Sequence, residues 1–243
     1  MNERGRVVRV ESLVKRRGTG PDSFTLVVRR LEIHRGDQLC LMAASGAGKT
    51  TMLDILGLAL RPTAAEAFEL AADEGDPCNV WREWQRDAHA HLARLRSRHV
   101  GYVLQEGGLL PFLTARENIE LPLRLRGRAD TSRVSALAER LRLASCLHRR
   151  PSDLSAGERQ RVVIARAVVH GPDLILADEP TAALDEANAV VTLDLLIELA
   201  REARAALVVS SHARHHLERV GLDWVQHESR VEAAGRVSEF WTS

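Results

Sequence analysis

Residues 43–50 read Ala-Ala-Ser-Gly-Ala-Gly-Lys-Thr, and few strings of this length restrict a fold so tightly. An apolar run, residues 38–44, leads into them. A stretch with helical spacing follows, with Met52, Leu53, Leu56 and Leu60 on one face. In a strand–glycine loop–helix arrangement, the loop's backbone N–H groups can wrap a β-phosphate while the positive end of the helix points at the same spot. Lys49 adds a mobile cation for β- and γ-phosphates, and the Thr50 hydroxyl suits Mg²⁺. The expected phosphate-binding residues are Ala43, Ala44, Ser45, Gly46, Ala47, Gly48, Lys49, Thr50 and Thr51. Ala43 replaces the first glycine of G-x-x-x-x-G-K-[ST]. It sits at the strand exit, where a methyl is tolerated if φ is negative.

A second constellation lies at residues 174–179, Leu-Ile-Leu-Ala-Asp-Glu. A buried apolar strand delivers two carboxylates at its C-terminal end, the edge where open α/β sheets bind ligands. Asp178 can hold the Mg²⁺ shell, and Glu179 can orient or deprotonate an attacking water. Neighbouring strand residues face opposite sides, so both reach one site only if the chain turns at the strand's end. Ser155, Ala156, Gly157 and Glu158 form a third constellation, a polar cap ahead of a helical run to residue 170. Their N–H groups at a helix start make a second anion site.

Other segments give the frame. Residues 7–14, 24–33, 99–105, 173–180 and 205–212 read as strands. Residues 81–98 read as one helix, with Trp81, Trp84, Ala88, Leu92 and Leu95 near one stripe. Residues 114–150 read as mostly helical, broken at Pro122 and around 126–130. Residues 186–204 read as a helix, residues 231–237 as a last short strand, and 64–80 are weakly patterned. Alternating strands and helices predict a doubly wound, mainly parallel α/β sheet. Residues 106–170 are nearly all helical and sit between two core strands, so the expectation is one domain. Its α/β core spans 1–105 and 171–243, with the helical subdomain 106–170 inserted.

Composition sets outer bounds. Of 243 residues, 45% are apolar and 28% charged, and the net charge is +1, so a full core is expected and a bulk nucleic-acid binder is not. Cys40, Cys78 and Cys146 form no CxxC pair and suggest a reducing compartment. His212, His215 and His216 cluster without further metal-ligand partners nearby in sequence. No apolar run reaches the roughly 20 residues that span a bilayer, and the first residues have no signal-peptide core. The expectation is a cytoplasmic chain whose link to a membrane comes through a partner.

These motifs, in this order, resemble the ATP-binding subunits of ABC transporters. The stretch LSAGERQRVVIARA is similar to the family's signature and the helix it caps. Gln105 in GYVLQEGGLLP resembles the Q-loop glutamine, Ala183-Leu184-Asp185 the D-loop, and Ser211-His212 the switch histidine. The match covers about residues 6–237. The runs LLPFLTARENIELPL and LILADEPTAALD look most like the group serving lipoprotein release, macrolide efflux and cell division.

The resemblance implies a P-loop NTPase fold with an antiparallel β piece, and hydrolysis of ATP with Mg²⁺. It implies catalytic roles for Lys49, Gln105, Glu179 and His212, with Thr50, Gln105 and Asp178 at the metal and Asp185 near the nucleotide. It further implies a head-to-tail homodimer, in which each ATP lies between one chain's phosphate loop and the other's Ser155 region, and a permease partner in the plasma membrane. A soluble family member acting on ribosomes or DNA usually carries two cassettes in one chain or a long coiled-coil insertion, and neither is present. Two functions stay open: driving transport, or acting as a nucleotide-dependent regulatory module on a membrane protein.

Several positions depart from the family pattern. Arg17 stands where an adenine-stacking aromatic is expected, so the base platform is left open among Arg17, Phe24 and neither. Ala156 replaces the second glycine of LSGGQ, Ala213 follows His212 where aspartate is usual, and residues 63–79 lack the glycine-marked hairpin.

Overall fold

The computed structural model describes residues 5–71, 77–105, 107–128, 130–211, 221–232 and 235–242. The order along the chain is β1 (Arg6–Arg17), β2 (Phe24–His34), β3 (Gln38–Leu41), α1 (Lys49–Leu56), β4 (Ala67–Leu70) and β5 (Cys78–Asn79). Then come α2 (Val80–Gln85), α3 (His89–His99), β6 (Val100–Val103), α4 (Ala115–Leu125), α5 (Thr131–Arg140) and α6 (Ala156–Val168). The chain continues through β7 (Leu174–Asp178), α7 (Glu186–Glu202), β8 (Ala206–Ser210), β9 (Asp223–Glu232) and β10 (Gly235–Trp241).

The strands lie in the order β5-β4-β1-β2-β10-β9-β3-β8-β7-β6. From β9 to β6 all pairings are parallel, whereas β1, β2, β4 and β5 pair antiparallel at the other end. The period-two alternation of the central strands divides the interior between two cores. Leu174, Leu176, Ala206 and Val208 point to the side holding α1, α2 and α3. Ile175, Ala177, Leu207 and Val209 point to the side holding α4, α5, α6 and α7. Helices on both faces make the sheet doubly wound, as expected. The segment carrying α4, α5 and α6 is inserted between the adjacent parallel strands β6 and β7. At Gly101 a Cβ would sit 2.0 Å from the Ala167 carbonyl, so only glycine lets β6 and α6 approach this closely.

Three local expectations fail. Pro122 lies inside α4 and does not break it. The Thr114–Glu117 capping box fixes the helix start, and Ala115, Ile119 and Leu123 are buried on one stripe. Packing of that stripe outweighs the roughly 3 kcal/mol intrinsic penalty of an internal proline. The run 81–98 is two helices, because Asp87 takes a left-handed φ of 52° and turns the chain between α2 and α3. Residues 231–237 are not one short strand. They straddle the end of β9 and the start of β10, which pair antiparallel. The antiparallel piece after residue 63 is short: four residues in β4 and two in β5.

Candidate active site

The phosphate loop emerges from β3 and enters α1. Gly46 (φ 75°) and Gly48 (φ 92°) are left-handed, and Gly48 is the N-cap of α1. Phe24 and Leu26 of β2 lie against Gly48, where a Cβ would meet Phe24 Cζ at 2.6 Å and Leu26 Cδ1 at 2.9 Å. Ala43 is absent from the non-glycine residues with positive φ, so its methyl meets the condition set by its place at the strand exit. The first-turn N–H groups of α1 have no intrahelical acceptor and face outward with the positive end of the helix.

Lys49 is buried, and its Nζ donates to the Ala43 carbonyl at 2.8 Å and the Ala44 carbonyl at 3.4 Å. Nζ also lies 3.8 Å from Glu179 Oε1. Burial lowers the lysine's pKa, and the nearby Glu179 and Asp178 carboxylates oppose that shift. Thr50 Oγ1 donates to Asp178 Oδ2 at 2.7 Å.

The end of β7 turns as the two carboxylates require. Asp178 is the last strand residue, and Glu179 adopts φ 45°. That left-handed residue costs about 1–3 kcal/mol in backbone strain and breaks the strand alternation. The Glu179 N–H donates to Ser210 Oγ and to the Ser210 carbonyl, each at 3.1 Å, which holds the turn. Ser210 Oγ in turn donates to Asp178 Oδ1. Sequence reasoning passed over Ser210. Its signal was a hydroxyl at the end of the strand neighbouring the Asp-Glu strand, register-paired with Asp178. Tyr102 is a second omission, donating to Asp54 Oδ1 of α1 at 3.0 Å.

Arg17, Phe24, Ser45, Gly46, Gly48, Lys49, Thr50, Thr51, Gln105 and Glu179 line one cleft of about 410 Å³. Arg17 and Phe24 are direct cross-strand partners, so both base-platform candidates stand side by side at its rim. Arg236 of β10 flanks the loop, its Nη1 3.4 Å from where a Cβ on Gly46 would lie.

Ser155, Ala156, Gly157 and Glu158 do not line this cleft. Ser155 caps α6 in a reciprocal capping box: its Oγ accepts from the Glu158 N–H at 3.2 Å, and its own N–H donates to Glu158 Oε2 at 2.8 Å. Asp185 caps α7 on an exposed surface, accepting from the Asn188 N–H at 2.9 Å. His212 lies outside the described residues, as do His215 and His216.

A glycine loop between a central parallel strand and a helix, facing an Asp-Glu strand end, defines a phosphate-loop nucleoside triphosphatase. The ABC transporter family profile matches residues 28–182. The lipoprotein-releasing system ATP-binding protein LolD of Legionella pneumophila (strain Lens) is 39% identical over 206 residues, 84% of this chain and 86% of that protein. The macrolide export ATP-binding/permease protein MacB of Rhodopseudomonas palustris (strain HaA2) is 39% identical over 186 residues, 75% of this chain and 27% of that protein. A solved dimeric ATP-binding cassette in a post-hydrolysis state with ADP and Pi superposes with TM-score 0.73 at 32% identity, covering 86% of this chain and 89% of that one. The chain belongs to the ABC transporter family, as an ATP-binding and ATP-hydrolysing subunit. No helix among the described residues is long and apolar enough to cross a membrane.

Proposed function

We propose that this subunit works as one half of a head-to-tail homodimer beneath an integral-membrane permease, at the cytoplasmic face of the plasma membrane. The convergence of Lys49 and Glu179 (3.8 Å) with Thr50 and Asp178 (2.7 Å) carries the reading. Lys49 and the first turn of α1 hold the β- and γ-phosphates. Glu179, aimed by its left-handed backbone, accepts the proton of the attacking water. Gln105 lines the same cleft and orients that water from the loop after β6.

The Thr50 hydroxyl and the Asp178 carboxylate are hard oxygen donors already in contact, a pairing that fits Mg²⁺, with Gln105 able to add its amide oxygen. When bound, Mg²⁺ neutralises charge on the phosphate oxygens. The signature residues lie outside their own chain's cleft, which supports their use by the opposite subunit. There Ser155, Ala156 and Gly157 offer the N-terminus of α6 to the γ-phosphate, and Asp185 caps α7 beside the shared interface. His212 contributes the switch imidazole. Residues 106–170 act as the signature-bearing helical subdomain of a single ATPase domain.

The test is phosphate release by the purified full chain with ATP and Mg²⁺, with and without its co-purified membrane partner. The parent hydrolyses ATP and Lys49→Ala does not. Equal rates for the two would remove the site from this cleft.

A further inference from the structure

Ser210 ends β8, a strand whose preceding residues, Ala206 to Val209, are all apolar and buried. Ser210 is fully buried as well. Strand alternation places it, with its register partner Asp178, on the face of the sheet that holds α1. Packing alone calls for an apolar side chain at such a position. A hydroxyl there costs stability unless it is hydrogen-bonded, so its partners say what it contributes.

Those partners have fixed roles. The Asp178 carboxylate takes the single hydroxyl proton at Oδ1. The Glu179 N–H can only donate, and it reaches Ser210 Oγ at 3.1 Å. One hydroxyl therefore orders two consecutive residues, the carboxylate of the first and the backbone of the second. On its other side, Ser210 is in register with Leu41, the last residue of β3, and the Ser211 N–H donates to the Leu41 carbonyl at 3.4 Å. The strand that feeds the phosphate loop and the strand that ends in the two carboxylates thus flank Ser210.

We propose that Ser210 is a positioning residue whose hydroxyl sets the Asp178 carboxylate and the Glu179 turn together, so that the Mg²⁺ ligand and the base keep one fixed relation. The proposal rests on the roles given above to Asp178 and Glu179. With Oδ1 held by Ser210, the carboxylate turns Oδ2 toward Thr50 and the phosphate loop. With its N–H held, Glu179 keeps the left-handed φ of 45°. A rotation of the Asp178 carboxylate carries the hydroxyl with it and so reaches the Glu179 turn. The Ser210 carbonyl also accepts from the Glu179 N–H, at 3.1 Å, so loss of the hydroxyl slackens the turn without opening it.

The experiment uses the full chain and two double-mutant cycles, with thermal unfolding to verify that each variant folds. In the first, a Mg²⁺ titration of nucleotide binding is read for Ser210→Ala, Asp178→Asn and the pair. Ser210→Ala should raise the Mg²⁺ midpoint about fivefold, the scale of one net hydrogen bond, and should raise it no further once Asp178 is Asn. In the second, phosphate release is read for Ser210→Ala, Glu179→Gln and the pair. Ser210→Ala should lower release about tenfold, and should lower it no further once Glu179 is Gln. A purely structural role adds its loss in both backgrounds. Ser210→Cys, with its weaker donor and acceptor, should fall between and replaces Ser210→Ala in both cycles if the alanine variant does not fold. An unchanged midpoint and release rate in the folded variant, or losses that multiply in either cycle, overturns the inference. A Glu179→Gln variant that hydrolyses at the parent rate removes the base itself, and the inference with it.

Discussion

The Thr50 hydroxyl donates to Asp178 Oδ2 across 2.7 Å, joining the first turn of α1 to the last residue of β7. The other carboxylate oxygen accepts from Ser210 Oγ. Asp178 is therefore an acceptor on both sides, held by two hydroxyls whose positions come from separate elements. Asp178→Asn places an amide NH₂ against at least one donor and removes the negative charge. The variant should fold and need at least about tenfold more Mg²⁺ for half-maximal ATP binding, in line with losing roughly 1.5–3 kcal/mol of charged hydrogen bonding. A Mg²⁺ titration of nucleotide binding checks this, and an unchanged midpoint contradicts it.

The base platform has two candidates in register, Arg17 of β1 and Phe24 of β2. Phe24 presses its ring edge against Gly48, whereas Arg17 is exposed at the rim. If the guanidinium stacks on adenine, Arg17→Ala should raise the ATP dissociation constant by the equivalent of about 0.5–2 kcal/mol, and Arg17→Tyr should restore binding. Calorimetric titration of both variants decides. No change in either makes Arg17 a solvated surface residue.

His170 gives the fold a pH dependence. Its Nε2 lies 3.1 Å from the Val100 carbonyl, Nδ1 is buried with no hydrogen-bond partner among the described residues, and burial pulls its pKa down from 6.5 to about 4. Above pH 6.5 neither folded nor unfolded chain carries the proton, so the residue has no effect. As pH falls toward 4 the unfolded chain takes up the proton and the folded chain does not, so stability drops. At pH 5 the cost is about 2 kcal/mol, at 1.36 kcal/mol per unit. Urea unfolding at pH 7 and pH 5 should show a larger loss for the parent than for His170→Gln by about this amount. Equal losses contradict it.

The parts of this site legible in the sequence were those fixed by residue type. Gly46 and Gly48 occupy left-handed positions that glycine favours, and the polar cap read at Ser155 is the start of α6. Features set by backbone conformation at ordinary residues were less legible. Asp87 and Glu179 both take positive φ without being glycine, so the α2–α3 break gave no local warning. The turn that aims Glu179 was expected at the strand's end, where it lies, but the residue that would take the left-handed conformation was not legible. Pro122 misled in the opposite sense, because a local penalty was outweighed by the burial of neighbours that lie far apart in sequence from their packing partners. β9 was hidden for a related reason: its outer residues, Glu228 to Glu232, are exposed and, Val231 apart, polar, and the strand exists through its pairing with β3 and β10.

The central claim is that Glu179 is the base. It follows Asp178, the proposed Mg²⁺ ligand, its left-handed backbone breaks the strand's alternation, and it lies 3.8 Å from Lys49 beside the phosphate loop. Glu179→Gln is nearly isosteric and can still orient water, but it cannot take the proton. The most direct measurement pairs two readings on this variant with Mg²⁺: nucleotide retained through gel filtration, and phosphate released. ATP should be retained in a dimer-sized peak while phosphate release falls by at least about 10², the low end for a positioned general base. Hydrolysis at the parent rate would show that another group takes the proton.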